Sequence, residues 1–117
     1  MAEERRNGQR VRAYRPVRLQ PANAPGVIET LTKDLGVGGL RCLSATPIPV
    51  SSELAVELSF AQGDEPLSVR GRATWFRAIP QSEQFDLGIS FLEMSHRDKR
   101  RLSAYIDRIS SHQPVPA

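Results

Sequence analysis

The sequence predicts an all-β fold of six antiparallel strands followed by one helix. Apolar and polar residues alternate with a period of two at 54–60 and at 85–91, which is the pattern of strands with one buried face. Prolines and glycines divide the rest into short segments joined by turns. Apolar residues recur at helical spacing only near the end of the chain, from Leu102 to Ile109.

The strands are predicted at 14–20, 27–34, 40–44, 54–60, 67–79 and 85–91. Pro16 favours an edge position or a late start for the first strand, and Gly71 favours a bend in the fifth. Ser95 is a candidate N-cap for a helix over 95–110, with Asp98 as its capping-box partner. Six strands with short connections indicate an antiparallel barrel or sandwich.

A chain of 117 residues favours one domain. Residues 1–11 are charged and lack an apolar period, so they are predicted to form a flexible arginine arm. The β domain with its helix then covers 12–112, and 113–117 form a proline-containing disordered tail.

The positive charge is concentrated near the start of the sequence. The net charge of +3 is modest, yet six arginines fall in the first 18 residues, which include the arm. A guanidinium can pair bidentately with a phosphate or with the edge of guanine, which a lysine cannot do. The arm is therefore either a solvated basic tail or an anion-binding segment.

No catalytic or metal-binding constellation is evident. His96 and His112 are too far apart in sequence to form a local ligand pair, and Cys42 is the only cysteine. No nucleophile stands beside a plausible base, so we expect no enzyme activity, no metal and no cofactor. Without a long apolar run or a signal-peptide core, a cytoplasmic location and no membrane insertion are expected.

Two local motifs remain. Arg5 and Arg6 precede Arg10, which gives the spacing R-R-x-x-x-R ahead of the first strand. Asp34 and Gly39 frame a glycine-rich turn about 24 residues later, with the form D-x-G-x-x-G. Together with the strands at 71–75 and 85–91 and the final helix, they resemble the PilZ domain family over roughly residues 4–110.

The resemblance implies a split β-barrel of six antiparallel strands that binds cyclic di-GMP. It implies binding by the arginines of the arm and by the turn, and more weakly by a tryptophan on a later strand: Arg5, Arg6, Arg10, Asp34, Gly36, Gly39 and Trp75. The chain departs from the family at Gly36, where the family has serine. The lost hydroxyl removes a neutral hydrogen bond worth about 0.5–1.5 kcal/mol.

The chemistry of these residues suits such a ligand. Arginines can grip phosphates or guanine edges, the Asp34 carboxylate can accept N–H groups of guanine, and Gly39 tolerates a close approach or a positive φ. Trp75 would share a strand face with Leu67 and Val69, so core packing is its default role.

The resemblance implies a receptor or adaptor that passes a second-messenger signal to an unidentified effector protein, with motility or exopolysaccharide synthesis as outputs. Two alternatives are a PilZ-like adaptor that binds no nucleotide, which Gly36 would favour, and a small barrel that binds nucleic acid. The modest net charge argues against nucleic acid. The oligomeric state and the ligand stoichiometry are left open.

Overall fold

The structure, a computed structural model, describes residues 10–60 and 65–112. Most of the predicted arm and tail, with Arg5 and Arg6, lies outside the described residues. The elements are β1 (Arg10–Arg12), β2 (Pro16–Pro21), β3 (Ile28–Gly36), β4 (Gly39–Ser44), β5 (Glu53–Leu58), β6 (Leu67–Ala78), β7 (Phe85–Phe91) and α1 (His96–His112).

The strands form a closed antiparallel barrel. Six of them follow in the order β3-β2-β5-β6-β7-β4, and β4 closes the barrel by pairing with β3. The remaining strand, β1, pairs with the end of β3. The predicted fold class is therefore confirmed, with one short strand more than the sequence indicated.

The extra strand corrects the predicted boundary of the arm. β1 and β2 lie along the same edge of β3, which pairs with β1 at 34–36 and with β2 at 28–31. The buried Thr32 hydroxyl spans the break between them, accepting from Arg15 N at 2.9 Å and donating to the Ala13 carbonyl at 2.5 Å. Arg10 and Val11 are therefore paired rather than flexible, and Val11 is only 3% exposed.

The barrel interior is rich in leucine, and the helix covers one end of it. The fully buried side chains include Leu19, Leu35, Leu58 and Leu87, and burial of each contributes about 1.5–3 kcal/mol. α1 packs against β1 and β3. Its N-cap is Ser95 as predicted, whose Oγ accepts the Asp98 N–H at 3.1 Å, whereas the Asp98 carboxylate accepts from Arg101.

Candidate functional site

A single row of cross-strand partners crosses the outer face of the barrel. Asp34 on β3 is paired with Arg41 on β4, Arg41 with Gly88 on β7, and Gly88 with Trp75 on β6. Because side chains directly opposite on adjacent strands share a face, these residues lie side by side. The register of four strands thus brings together a carboxylate, a guanidinium and an indole that are distant in sequence.

Glycines form the floor of this row. A Cβ at Gly39 would lie 2.2 Å from the Ile89 carbonyl oxygen, so the backbones of β4 and β7 meet too closely for a side chain. A Cβ at Gly88 would lie 2.3 Å from Nε1 of Trp75, so the indole lies across this glycine. The missing side chains leave a cavity of about 380 Å³, lined by Arg10, Asp34, Gly38, Gly39, Leu40, Arg41, Thr74, Trp75, Gly88, Ile89 and Ser90.

The Asp34 carboxylate holds two guanidiniums at one end of the cavity. Arg10 donates to its Oδ1 from Nη2 at 2.7 Å and from Nε at 2.9 Å. Nε of Arg41 lies 2.9 Å from Oδ2, but without hydrogen-bond geometry, and it is a buried nitrogen with no hydrogen-bond partner. Asp34 is 19% exposed and the guanidiniums more so, so the three groups form a preorganised but accessible cluster with one net positive charge.

Trp75 corrects the prediction of core packing. The register shifts between Ala73 and Trp75, so Thr74 is an extra residue in β6. A bulge of this kind reverses the alternation of the strand, and Trp75 therefore faces outward with 40% exposure. The irregularity lies here and not at Gly71, whose missing side chain instead makes room for Ile89.

Asp86 lies beside the row on β7 and is paired with cations. It accepts a hydrogen bond from Lys33 at 2.7 Å, and Arg77 lies 3.9 Å away. Burial, and secondarily the charge of Asp86, raise the pKa of the Cys42 thiol to about 12. Cys42 is therefore a protonated core residue at neutral pH, and a thiolate nucleophile is not present there.

The structure brings together four of the residues predicted from the motifs, namely Arg10, Asp34, Gly39 and Trp75. Gly36 is paired with Arg10 and Gly39 but does not line the cavity. Of the two roles expected for Gly39, a positive φ is not observed, because Gly26 is the glycine with a positive φ in the described part of the chain. Gly39 is needed for the close approach of two strands.

Sequence reasoning missed Arg41, Thr74, Gly88 and Ser90. Arg41 could have been found from the sequence. Leu40, Cys42 and Ser44 are buried, so the alternation of the strand places Arg41 on its outer face, two residues after Gly39 of the motif turn. Gly88 and Ser90 required the register between β4 and β7, and Thr74 required the bulge.

A larger cavity of about 650 Å³ lies elsewhere, on the outer face of β2, β5 and β6. Arg18, Glu57, Arg70 and Glu93 line it, so its charges balance, and no motif residue contributes to it. Volume alone would favour this cavity, but the convergence of the motif residues favours the smaller one as the candidate site.

The residues that the structure describes contain no group of three or more His, Cys, Asp or Glu side chains that could hold a metal ion. No helix in this part of the chain is long and apolar enough to cross a membrane.

Comparison with known proteins agrees with the motifs. The chain matches the PilZ domain over residues 4–108. Comparison with the curated proteins finds no match.

Solved structures share the fold. The inhibitor of motility MotI (DgrA) of Bacillus subtilis superposes with a TM-score of 0.77 at 17% identity, over 90% of this chain and 50% of MotI, so this chain spans about half its length. The PilZ domain of YcgR from Escherichia coli, solved with c-di-GMP, gives 0.70 at 18% identity over 88% and 89%. The PilZ domain of CeSA from a cellulose-synthesizing bacterium gives 0.64 at 16% identity over 87% and 98%.

Proposed function

This chain belongs to the PilZ domain family, and on that premise we propose that it is a receptor for cyclic di-GMP, bound in the glycine-floored cavity between Arg10 and Trp75. One observation carries the proposal: the family's motif residues Arg10, Asp34 and Gly39 line one cavity with an outward-facing indole. YcgR, whose PilZ domain was solved with c-di-GMP, is a structural relative of the same fold.

The cavity offers the groups that the two phosphates and two guanines of this ligand require. Arg10 and Arg41 supply planar donor edges for phosphate oxygens or for O6 and N7 of guanine. The exposed Trp75 ring offers an apolar face on which a base can stack, worth about 1–3 kcal/mol. Arg5 and Arg6 belong to the proposed site as further guanidinium donors, although they lie outside the described residues.

Asp34 both opposes ligand binding, by holding the guanidiniums in the free protein, and contributes to specificity for guanine. In the free protein its carboxylate is occupied by Arg10 and Arg41, so the ligand's phosphates must compete for those guanidiniums. Once released, the carboxylate can accept the N–H groups of a guanine edge. Gly36 supplies no hydroxyl, and we expect an affinity about two- to tenfold weaker than a serine would allow.

The cellular process that the receptor controls is proposed only as a class. MotI is described as an inhibitor of motility, and the CeSA domain comes from a cellulose-synthesizing bacterium. Ligand binding at β1 would reposition the arm and so change the surface shown to an effector protein. Motility and exopolysaccharide synthesis both remain within this proposal.

Calorimetric titration with cyclic di-GMP tests the binding step. We expect saturable heat, together with a change in fluorescence of Trp75, which is the chain's single tryptophan. Arg10→Ala should weaken binding by about tenfold to a hundredfold, since it removes one bidentate contact. The matched control is Arg18→Ala, because Arg18 is also exposed on a strand but pairs with Glu29 and Glu57 away from the cavity.

A folded protein that gives neither heat nor a fluorescence change would overturn the proposal in favour of an adaptor that binds no nucleotide. Equal weakening by Arg10→Ala and Arg18→Ala would also count against it, because the attraction would then be a general effect of positive charge.

A further inference from the structure

A second cluster of arginines lies on the helix, away from the dinucleotide cavity. Arg97, Arg101, Ala104 and Arg108 follow one another at intervals of four, three and four residues, so they form one stripe along α1. With Phe60, Glu65 and Tyr105 they line a cavity of about 380 Å³. None of these residues lines the cavity assigned to the ligand.

Aromatic rings hold two of these guanidiniums in place. The rings of Phe60 and Tyr105 are stacked, with centroids 4.8 Å apart. Cζ of Arg101 lies 5.5 Å from the Phe60 centroid, and Cζ of Arg108 lies 5.9 Å from that of Tyr105. Stacking on a ring uses the face of a guanidinium and directs the N–H donors at its edge sideways, which reduces the entropy lost when they exchange one acceptor for another.

One acidic residue of the chain already lies against the stripe. The carboxylate of Glu65 lies 3.2 Å from Nη2 of Arg97, and the backbone carbonyl of Glu65 accepts a hydrogen bond from Arg101. One acidic residue outside regular secondary structure is therefore held through both its side chain and its main chain. Because this ion pair is exposed, it is weak enough to be displaced.

We infer that the stripe is a docking surface for an acidic segment of a partner protein. The helix carries five lysines and arginines against two aspartates, which gives a positive surface. The rise of an α-helix separates Arg97 from Arg108 by about 16 Å, which about five extended residues span. Acidic side chains at the ends of such a segment would reach the two arginines, and the small Ala104 between them leaves room for an apolar side chain.

The same surface is poorly suited to nucleic acid. Phe60 and Tyr105 are buried, so no ring face is open for a base to stack on. The carboxylates of Glu65 and Asp98 lie against Arg97 and Arg101, where they would repel a continuous phosphate backbone. A protein segment needs only a few carboxylates there: one can displace the exposed Glu65 carboxylate from Arg97, and another can lie at the Arg108 end of the stripe.

Fluorescence anisotropy of the full chain tests this inference, with a fluorescein-labelled peptide of glutamates around a central leucine as the probe. We expect saturable binding that weakens with salt. The double variant Arg97→Glu, Arg108→Glu should weaken it by about tenfold or more. Lys99→Glu is the matched control, because Lys99 is in the same helical turn as Arg97 but on the opposite flank, and it should change affinity by less than about twofold.

A third variant is expected to raise the affinity for the peptide instead of lowering it. Glu65→Ala removes the carboxylate that competes for Arg97, so it should strengthen peptide binding by about two- to threefold. If the peptide were attracted only by diffuse positive charge, removing any exposed carboxylate would raise its affinity by the same factor as Glu65→Ala. Glu83→Ala, an exposed carboxylate outside the stripe, is the comparison.

The inference is overturned by absence of peptide binding, by equal effects of the Arg97/Arg108 and Lys99 variants, or by tighter binding of a labelled oligothymidylate than of the peptide. It goes beyond the proposed function and does not depend on it. Titration of the same samples with cyclic di-GMP, followed through Trp75, reports failure of the dinucleotide site separately.

Discussion

The molecule holds its two arginine clusters by different means. Arg10 and Arg41 are held by the carboxylate of Asp34, whereas Arg101 and Arg108 also lie over aromatic rings, Arg101 with the Asp98 carboxylate beside it. A carboxylate neutralises part of the charge that it positions, so an incoming anion must displace it. A ring positions a guanidinium without neutralising it. The first arrangement favours selectivity for a ligand that can replace the carboxylate, and the second favours weak, exchangeable contacts with many carboxylates.

Two titratable groups, one beside each cluster, differ in the charges that lie near them. Beside the first cluster, burial raises the pKa of Cys42 and the negative charge of Asp86 raises it further. Beside the second cluster, burial also raises the pKa of Tyr105, but the positive charges of Arg15 and Arg108 oppose that rise. Burial dominates both pKa values, while the nearby charge adds to its effect at Cys42 and opposes it at Tyr105.

The largest expected effect comes from removing a ring of the second cluster. Phe60 is 7% exposed and stacks on Tyr105, so Phe60→Ala should lower the free energy of unfolding by about 3–5 kcal/mol in urea denaturation. Phe76→Ala is the control, because Phe76 also contacts a second ring but is 40% exposed. If both substitutions lower the free energy of unfolding equally, the Phe60 ring is not a structural support for the stripe.

The burial of Cys42 beside the first cluster can be tested through the pH dependence of stability. The Cys42 thiol has an ordinary pKa of 9.0, which the unfolded chain should show, against about 12 in the fold. Between these values the unfolded state has lost its proton while the folded state keeps it, so stability falls as pH rises. Between about pH 8 and pH 10 the unfolding free energy should drop by about 1.4 kcal/mol from this group.

Cys42→Ala isolates that contribution. The substitution shifts the stability at every pH through its small cavity, so the comparison is between the slopes with pH and not between absolute values. A slope as steep in Cys42→Ala as in the native chain would show that another group titrates there. Within the native chain, the thiol should also resist alkylation until the protein unfolds.

Part of this contrast was accessible from the sequence. The period-two alternation of 54–60 and 85–91 predicted strands correctly, because each has one face in the core. The resemblance to the PilZ family grouped Arg10 with Asp34 and Gly39, and these three residues line one cavity. Arg5 and Arg6 remain predictions.

The rest depended on long-range register. Trp75 was assigned to the core by alternation, and one extra residue at Thr74 turned it outward. β1 was missed because it is three residues long and its buried residue, Val11, stands between the exposed Arg10 and Arg12. The second cluster could not be predicted, because Phe60 and Tyr105 are far apart in sequence and meet only when α1 packs over the end of the barrel.

The smallest expected effect concerns the carboxylate itself. Asp34→Asn leaves Arg10 and Arg41 side by side without a negative charge between them, and should lower the unfolding free energy by about 1 kcal/mol at low salt. At about 1 M salt, where the screening length is about 3 Å, most of that loss should disappear. Asp107→Asn makes the same change of charge at an exposed position on α1 and should cost less than about 0.3 kcal/mol. A loss at Asp34 that persists unchanged in high salt would mean that its hydrogen bonds, and not its charge, hold the first cluster together.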